Sequence, residues 1–156
     1  MKKIIASCLL VSAAALPGMV QARTLSLTTE LQNYGGEGAY LAFYVTDANG
    51  KYHKTLWVAG KKSKYYKSLR DWARGSRLNP REFDGVSGAS VGSGRSLTVK
   101  VELADALIDA GYEIRVDSAV EDGRENAVDV RVPLTAAGAS KPVAGRGYIK
   151  SFKYDM

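Results

Sequence analysis

The stretch that decides the fold is Ala39-Tyr-Leu-Ala-Phe-Tyr-Val-Thr46, followed by Asp47-Ala-Asn-Gly50 and then Tyr52-His-Lys-Thr-Leu-Trp-Val58. Both flanking runs are rich in aromatic and β-branched side chains, which fit a pleated, packed surface. Between them, Asn49-Gly50 supplies the positive φ that a tight hairpin needs. The segment therefore reads as two antiparallel strands joined by a short turn.

Outward from this hairpin the same grammar repeats. Thr24 to Leu31 alternates apolar and polar residues, the mark of a half-buried strand. Gly35-Gly36-Glu37-Gly38 then reads as a turn. Leu97 to Leu103 alternates cleanly. Tyr112–Val120 and Ala127–Leu134 are two further strands joined through Glu121-Asp-Gly-Arg124, and Gly147–Tyr154 is a last one. Short strands at this spacing, separated by turn signals, predict a mainly β fold: an antiparallel immunoglobulin-like β-sandwich.

One segment breaks the pattern. Over Lys61–Arg77, Tyr65, Leu69 and Trp72 recur at three- and four-residue spacing with Lys64, Lys67, Arg70 and Arg74 between them. This predicts one inserted amphipathic helix with a basic outer face. Tyr65 and Trp72 fall on its apolar side, and Tyr66 falls off it as the exposed aromatic. Pro80 helps to stop the helix. Residues 84–94 are rich in Gly and Ser, carry neither periodicity, and read as a loop.

The N-terminus reads as an export signal. Lys2 and Lys3 precede the apolar run Ile4–Leu16, Pro17 and Gly18 break it, and Val20-Gln21-Ala22 offers a small-residue cleavage site after Ala22. The expected organisation is a signal peptide over 1–22 and one β-sandwich domain over 23–156, delivered to the periplasm. The leader removes two lysines, so the net charge falls from +6 to +4. In an exported protein that balance favours acidic protein surfaces, phosphate groups or lipid headgroups over nucleic acid.

Composition limits the chemistry. The single cysteine, Cys8, lies within the leader, so the exported chain has neither a disulfide nor a thiolate. One histidine, His53, in a predicted strand, is too few ligands for a zinc or copper site. Gly85-Val86-Ser87-Gly88-Ala89 approaches a nucleophile elbow but has alanine where that motif needs its second glycine, and an antiparallel sheet is the wrong context. Gly35-Gly36-Glu37-Gly38 does not open a helix after a strand and is no phosphate loop. What remains is Asp84-Gly85-Val86-Ser87-Gly88-Ala89-Ser90, sterically open and offering two hydroxyls and one carboxylate. Its glycines let another active site approach the backbone closely.

This heptad resembles the flavinylation motif of exported redox proteins: Asp, two variable residues, Ser or Thr, Gly, Ala, then Thr or Ser. The resemblance implies covalent FMN, attached by an ApbE-type FMN transferase that takes FMN from FAD and joins its phosphate to the final hydroxyl. Carried over, Ser90 is the attachment residue. Asp84, Ser87, Gly88 and Ala89 are what the transferase recognises. Serine in place of the usual threonine keeps the hydroxyl and loses a methyl group. More loosely, residues 24–154 are similar to small periplasmic proteins that accompany PepSY-type membrane reductases, through the export signal, the helix around Leu69-Arg-Asp-Trp72-Ala-Arg74 and the strand ending at Leu134. That likeness implies a redox carrier, rather than a stand-alone enzyme, with a membrane-bound PepSY-type partner. Among the aromatics near the motif, Tyr66 is the expected flavin contact. The basic run from Lys61 to Arg81 is expected to pair with the flavin phosphate or steer an acidic partner. The competing expectation is a cofactor-free β-sandwich binding or docking module, in which the glycine loop is only a loop and any docking to a membrane protein uses the basic helix.

Overall fold

The computed structural model describes residues 20–156; the leader up to Met19 lies outside the described residues. Eight strands run in chain order: β1 Ala22–Leu31, β2 Ala39–Thr46, β3 Tyr52–Ala59, β4 Ser87–Gly88, β5 Ser96–Ala104, β6 Glu113–Val120, β7 Glu125–Pro133 and β8 Ile149–Asp155. They form two sheets, ordered β5-β1-β8 and β4-β3-β2-β6-β7. Every pairing is antiparallel except that of β3 with β4. The protein is a mainly β sandwich.

Its topology is of the immunoglobulin kind with the starting point moved. If β8 is counted as strand A and β1 as B, the three-stranded sheet is A-B-E. The larger sheet is then C′-C-F-G with β4 added at its edge. The final strand of the chain thus fills the place of an immunoglobulin first strand.

The alternation read from β1 and β5 becomes a one-sided core. Leu25, Leu27, Val99 and Val101 point inward, and Leu25 pairs with Val101 and Leu27 with Val99 across the ladder. Facing them from the larger sheet are Leu41, Phe43, Val45, Ile114 and Val116. β2 does not alternate because all eight of its residues are buried. Its second face carries Tyr40, Ala42 and Tyr44, which pack with Tyr66, Leu69 and Trp72 in a second core outside the sandwich. A continuous apolar strand here means a sheet covered on both faces.

The cover is the segment expected to be one helix, and it differs from that expectation. Ser63–Ser68 is a 3-10 turn, Leu69 interrupts at φ −86 and ψ 76, and α1 spans only Arg70–Ser76. The 3-10 turn has three residues per turn. Tyr66 in this turn, Leu69 at the break and Trp72 in α1 share the inward face. Tyr66 is only 4 % exposed. The expected exposure of Tyr66 is overturned and Tyr65 is only half-buried, because the segment starts as a 3-10 turn and breaks at Leu69 before α1.

Two buried aspartates tie loops to this frame. The register of β6 against β7 shifts at Asp117. Its carboxylate accepts from the backbone N–H groups of Asp71 and Trp72 at 2.8 and 2.9 Å and of Val128 at 2.8 Å, and from the Tyr44 hydroxyl at 2.9 Å. The start of α1 is thus capped by the sheet beneath it, since Leu69 has no side-chain acceptor to offer. Asp129 does the same for the return to β8, accepting from the N–H groups of Arg146 and Gly147 at 2.7 Å.

Candidate functional site

The heptad Asp84–Ser90 is not a free loop. Asn79 accepts a hydrogen bond from the Arg81 N–H and starts the short 3-10 turn Pro80–Glu82; the Asp84 N–H closes on Pro80 O at 2.8 Å. The chain then lies along the open edge of β3. Val58 N–H donates to Val86 O at 2.9 Å and Gly60 N–H to Gly88 O at 2.8 Å. Ser87 and Gly88 thereby become β4, a parallel edge strand that sequence periodicity could not reveal in two residues. Val91 forms a two-way bridge with Ala39, at 2.7 and 2.9 Å. Ala89 and Ser90 span the gap between these anchors, and both are exposed.

Each residue of the motif has a distinct setting. Asp84, Ser87, Ala89 and Ser90 are exposed. Among the described residues the Asp84 carboxylate has no salt-bridge partner. Gly88 lies on the Trp57 indole, where a Cβ would come within 2.8 Å of the ring. Its glycine identity therefore serves the packing of this edge. Gly88→Ala is expected to cost about 1–2 kcal/mol through displacement of the Trp57 ring, measured by urea unfolding. An unchanged midpoint would mean that the indole moves freely. Among the described residues the buried Trp57 indole nitrogen has no hydrogen-bond partner.

Ser90 lines a cleft of about 320 Å³ with Gly38, Tyr40, Lys61, Lys62, Glu37 and Glu121. Gly38 opens this space, because a Cβ there would sit 2.8 Å from the Ser90 hydroxyl oxygen. Neither lysine has a carboxylate within ion-pair distance among the described residues. Tyr40 and Glu121 also line a neighbouring cleft of about 300 Å³ with Tyr65 and Ser68. Tyr65 packs edge-on to Tyr40 with ring centroids 5.5 Å apart and donates its hydroxyl to Glu121. That bond to a carboxylate raises the Tyr65 phenol above its ordinary pKa. Tyr66 stands behind the motif, its hydroxyl on Gly60 O at 2.7 Å. Burial raises its pKa, and the nearby Ser87 hydroxyl acts in the opposite direction.

The structure therefore brings Ser90, Ala89, Lys61 and Lys62 to one cleft, whereas Asp84, Ser87 and Gly88 do not line it and Tyr66 is buried in the second core. Sequence reasoning missed Tyr40 and Glu121, which lie far away in the chain. The sequence offered no local signal for either. Arg70 pairs instead with Glu125 at 2.6 Å, and Arg74 lies 3.5 Å from Asp71. His53 is exposed and stacks edge-on with Tyr112. Among the described residues there is no group of three or more His, Cys, Asp or Glu placed to hold a metal ion. No helix among them is long and apolar enough to cross a membrane.

Fold and site together define a small two-sheet β-sandwich that presents an exposed hydroxyl from a pinned edge segment beside a cleft of mixed charge, lined by Lys61 and Lys62 with Glu37 and Glu121. Residues 22–151 match the family DUF2271, described as predicted periplasmic protein, and the chain belongs to that family. No curated protein and no solved structure matches it.

Proposed function

We propose that this protein is a periplasmic electron carrier whose FMN is joined through a phosphoester to Ser90. The observation that carries the reading is the setting of Asp84–Ser90: a heptad resembling a flavinylation motif, anchored at both ends, with an exposed hydroxyl on a cleft lined by Lys61 and Lys62 as well as Glu37 and Glu121. The Ser90 Oγ attacks the FMN-side phosphorus of FAD. An O–P bond forms, the pyrophosphate bond breaks, AMP departs, and the hydroxyl proton passes to the transferase. The product is a phosphodiester with one negative charge, which Lys61 and Lys62 can neutralise.

A tether suits an exported carrier, because a covalent bond replaces a binding equilibrium that dilution would defeat. The flavin supplies the redox chemistry, and the protein holds and orients it. A membrane-bound reductase of PepSY type is the proposed electron partner. The exposed Lys61, Lys62, Lys64 and Lys67 give its acidic groups a surface to meet.

The test is intact mass after co-expression of the full chain with an active FMN transferase, beside Ser90→Ala and Ser90→Thr. The expected result is one added phosphoester-linked FMN in the wild type and in Ser90→Thr, and none in Ser90→Ala. An unmodified wild type, from a transferase active on another acceptor, would overturn the reading. A cofactor-free docking module would then take its place.

A further inference from the structure

The edges of the two sheets are not treated alike. The β8 edge is covered by Val143, which exchanges backbone bonds with Phe152 at 2.8 and 2.9 Å, and by Ser140, whose N–H donates to Tyr154 O at 2.8 Å. Along β7 the Arg146 N–H donates to Asp129 O at 3.0 Å, and its guanidinium donates to the carbonyls of Ala127 and Val128. β4, at the other end of that sheet, is only two residues long. Covering or shortening an edge keeps a sheet from pairing with another chain. β5 has neither device. It runs for nine residues, Ser96–Ala104, without a proline, and its ladder to β1 has no register shift.

In an antiparallel ladder alternate residues turn both backbone groups to the same side. Arg95 O accepts from the Leu31 N–H, and the Asp105 N–H donates to Gln21 O, so the odd-numbered residues of β5 face β1. Thr98, Lys100 and Glu102 therefore turn their N–H and C=O groups to the open edge, and their side chains are exposed. Lys54 reaches this edge, its ammonium 3.4 Å from Glu102 O, but on an exposed and flexible stem. Neither Lys100 nor Glu102 has an ion-pair partner among the described residues.

We infer that β5 is a self-association edge: two copies of this chain pair β5 to β5, antiparallel across a two-fold axis, with Lys100 of each opposite Glu102 of the other. The inference is independent of any cofactor at Ser90. A two-fold contact must be self-complementary, and this edge is. Centred on Val101, the pairing sets a lysine against a glutamate twice and lets the outward N–H and C=O groups of both residues bond in full. The neighbouring registers place Lys100 opposite Lys100, or Glu102 opposite Glu102, and like charges directly opposite are destabilising. Charge thus selects one register. The small sheets of the two copies then join into one, with the β5 strands at its centre.

The test is sedimentation equilibrium of the full chain recovered from the periplasm, over the micromolar to millimolar range. Lys100→Glu, Glu102→Lys and an equimolar mixture of the two are run beside it. The wild type is expected to be a reversible dimer. Each single variant sets like charges opposite each other twice and should weaken the dimer about tenfold or more. Mixing the two restores opposite charges at both positions, so the mixture should recover dimer as a heterodimer. Hydrogen exchange gives a second readout. The Lys100 and Glu102 amides should slow as concentration rises, while those of Val99 and Val101, already bonded to β1, stay unchanged. A wild type that stays monomeric across the range overturns the inference and leaves this edge to a strand of another protein. A dimer that both variants leave intact overturns it too, because the contact then lies elsewhere.

Discussion

Asp117→Ala is expected to destabilise the protein by about 3–5 kcal/mol, the cost of removing one partner from a buried charged network. The side chain is fully buried, and its two oxygens serve four donors. Alanine leaves three backbone N–H groups and the Tyr44 hydroxyl without an acceptor. Tyr44 itself is held well above the ordinary phenol range by burial and by Asp117, so it remains a donor wherever the fold persists. Burial raises the Asp117 carboxyl too, while its backbone donors at Trp72 and Val128 act against that shift.

The damage should be local in origin and wide in effect. The first turn of α1 loses its cap, and α1 holds Trp72 over the second core. The Trp72 indole donates to Thr55 at 2.9 Å, and Tyr66 and Phe83 pack against its ring at 5.4 and 5.9 Å. Urea unfolding should show a midpoint lower by roughly 2 M, for a slope of about 2 kcal/mol/M. Asp117→Asn keeps one oxygen and sets an amide against the remaining N–H groups, so it should fall between the wild type and Asp117→Ala. A loss under about 1 kcal/mol for Asp117→Ala would mean that water replaces the carboxylate, and the capping role would be wrong.

Gly60→Ala is expected to be comparably severe, at about 4 kcal/mol from backbone strain and overpacking together. Gly60 sits at φ +134, and a Cβ there would fall 2.0 Å from the ring of Tyr40. Three links meet at this residue. Its N–H holds Gly88 of the motif, its carbonyl holds the Tyr66 hydroxyl, and its missing side chain admits the Tyr40 ring. The substitution should therefore lower stability and loosen the edge strand that presents Ser90. Thermal unfolding checks the first effect, and hydrogen exchange at the Val58 and Gly60 amides checks the second. Gly35→Ala is the control. Gly35 also has positive φ, +70, but has nothing within 4 Å of a built Cβ, so only the backbone cost of about 1 kcal/mol is expected. Equal losses at the two glycines would show that the Tyr40 contact contributes nothing.

Much of the frame was legible because a half-buried strand writes its geometry at period 2. Leu25, Leu27, Val99 and Val101 are inward in the sequence pattern and inward in the fold. The turn at Asp47–Gly50 was equally plain. Gly50 takes φ +79, and the Asp47 carboxylate accepts from the Asn49 and Lys51 N–H groups at 2.9 Å. Residue types alone marked 84–90 as an open Gly- and Ser-rich loop, and only its resemblance to a known motif set it apart.

The cover over β2 was only half legible. Aromatic and basic residues alternate there at spacings that suit either a 3.6 or a 3.0 repeat. Packing of Tyr66, Leu69 and Trp72 onto Tyr40 and Tyr44 goes with a tighter first turn and a break at Leu69, and leaves Tyr65 half-buried at the edge of that core.

By itself, then, the sequence determined a β-sandwich with an inserted basic segment and an open hydroxyl-bearing heptad, because alternation and turn chemistry are local properties. Only the tertiary structure decided that β8 stands in the first-strand position, that Ser87–Gly88 pairs with β3, and that Ser90 faces Lys61, Lys62 and Tyr40. Each of those depends on residues distant in the chain coming together to satisfy an open sheet edge, a buried face or an unpaired N–H, and no window of sequence carries that information.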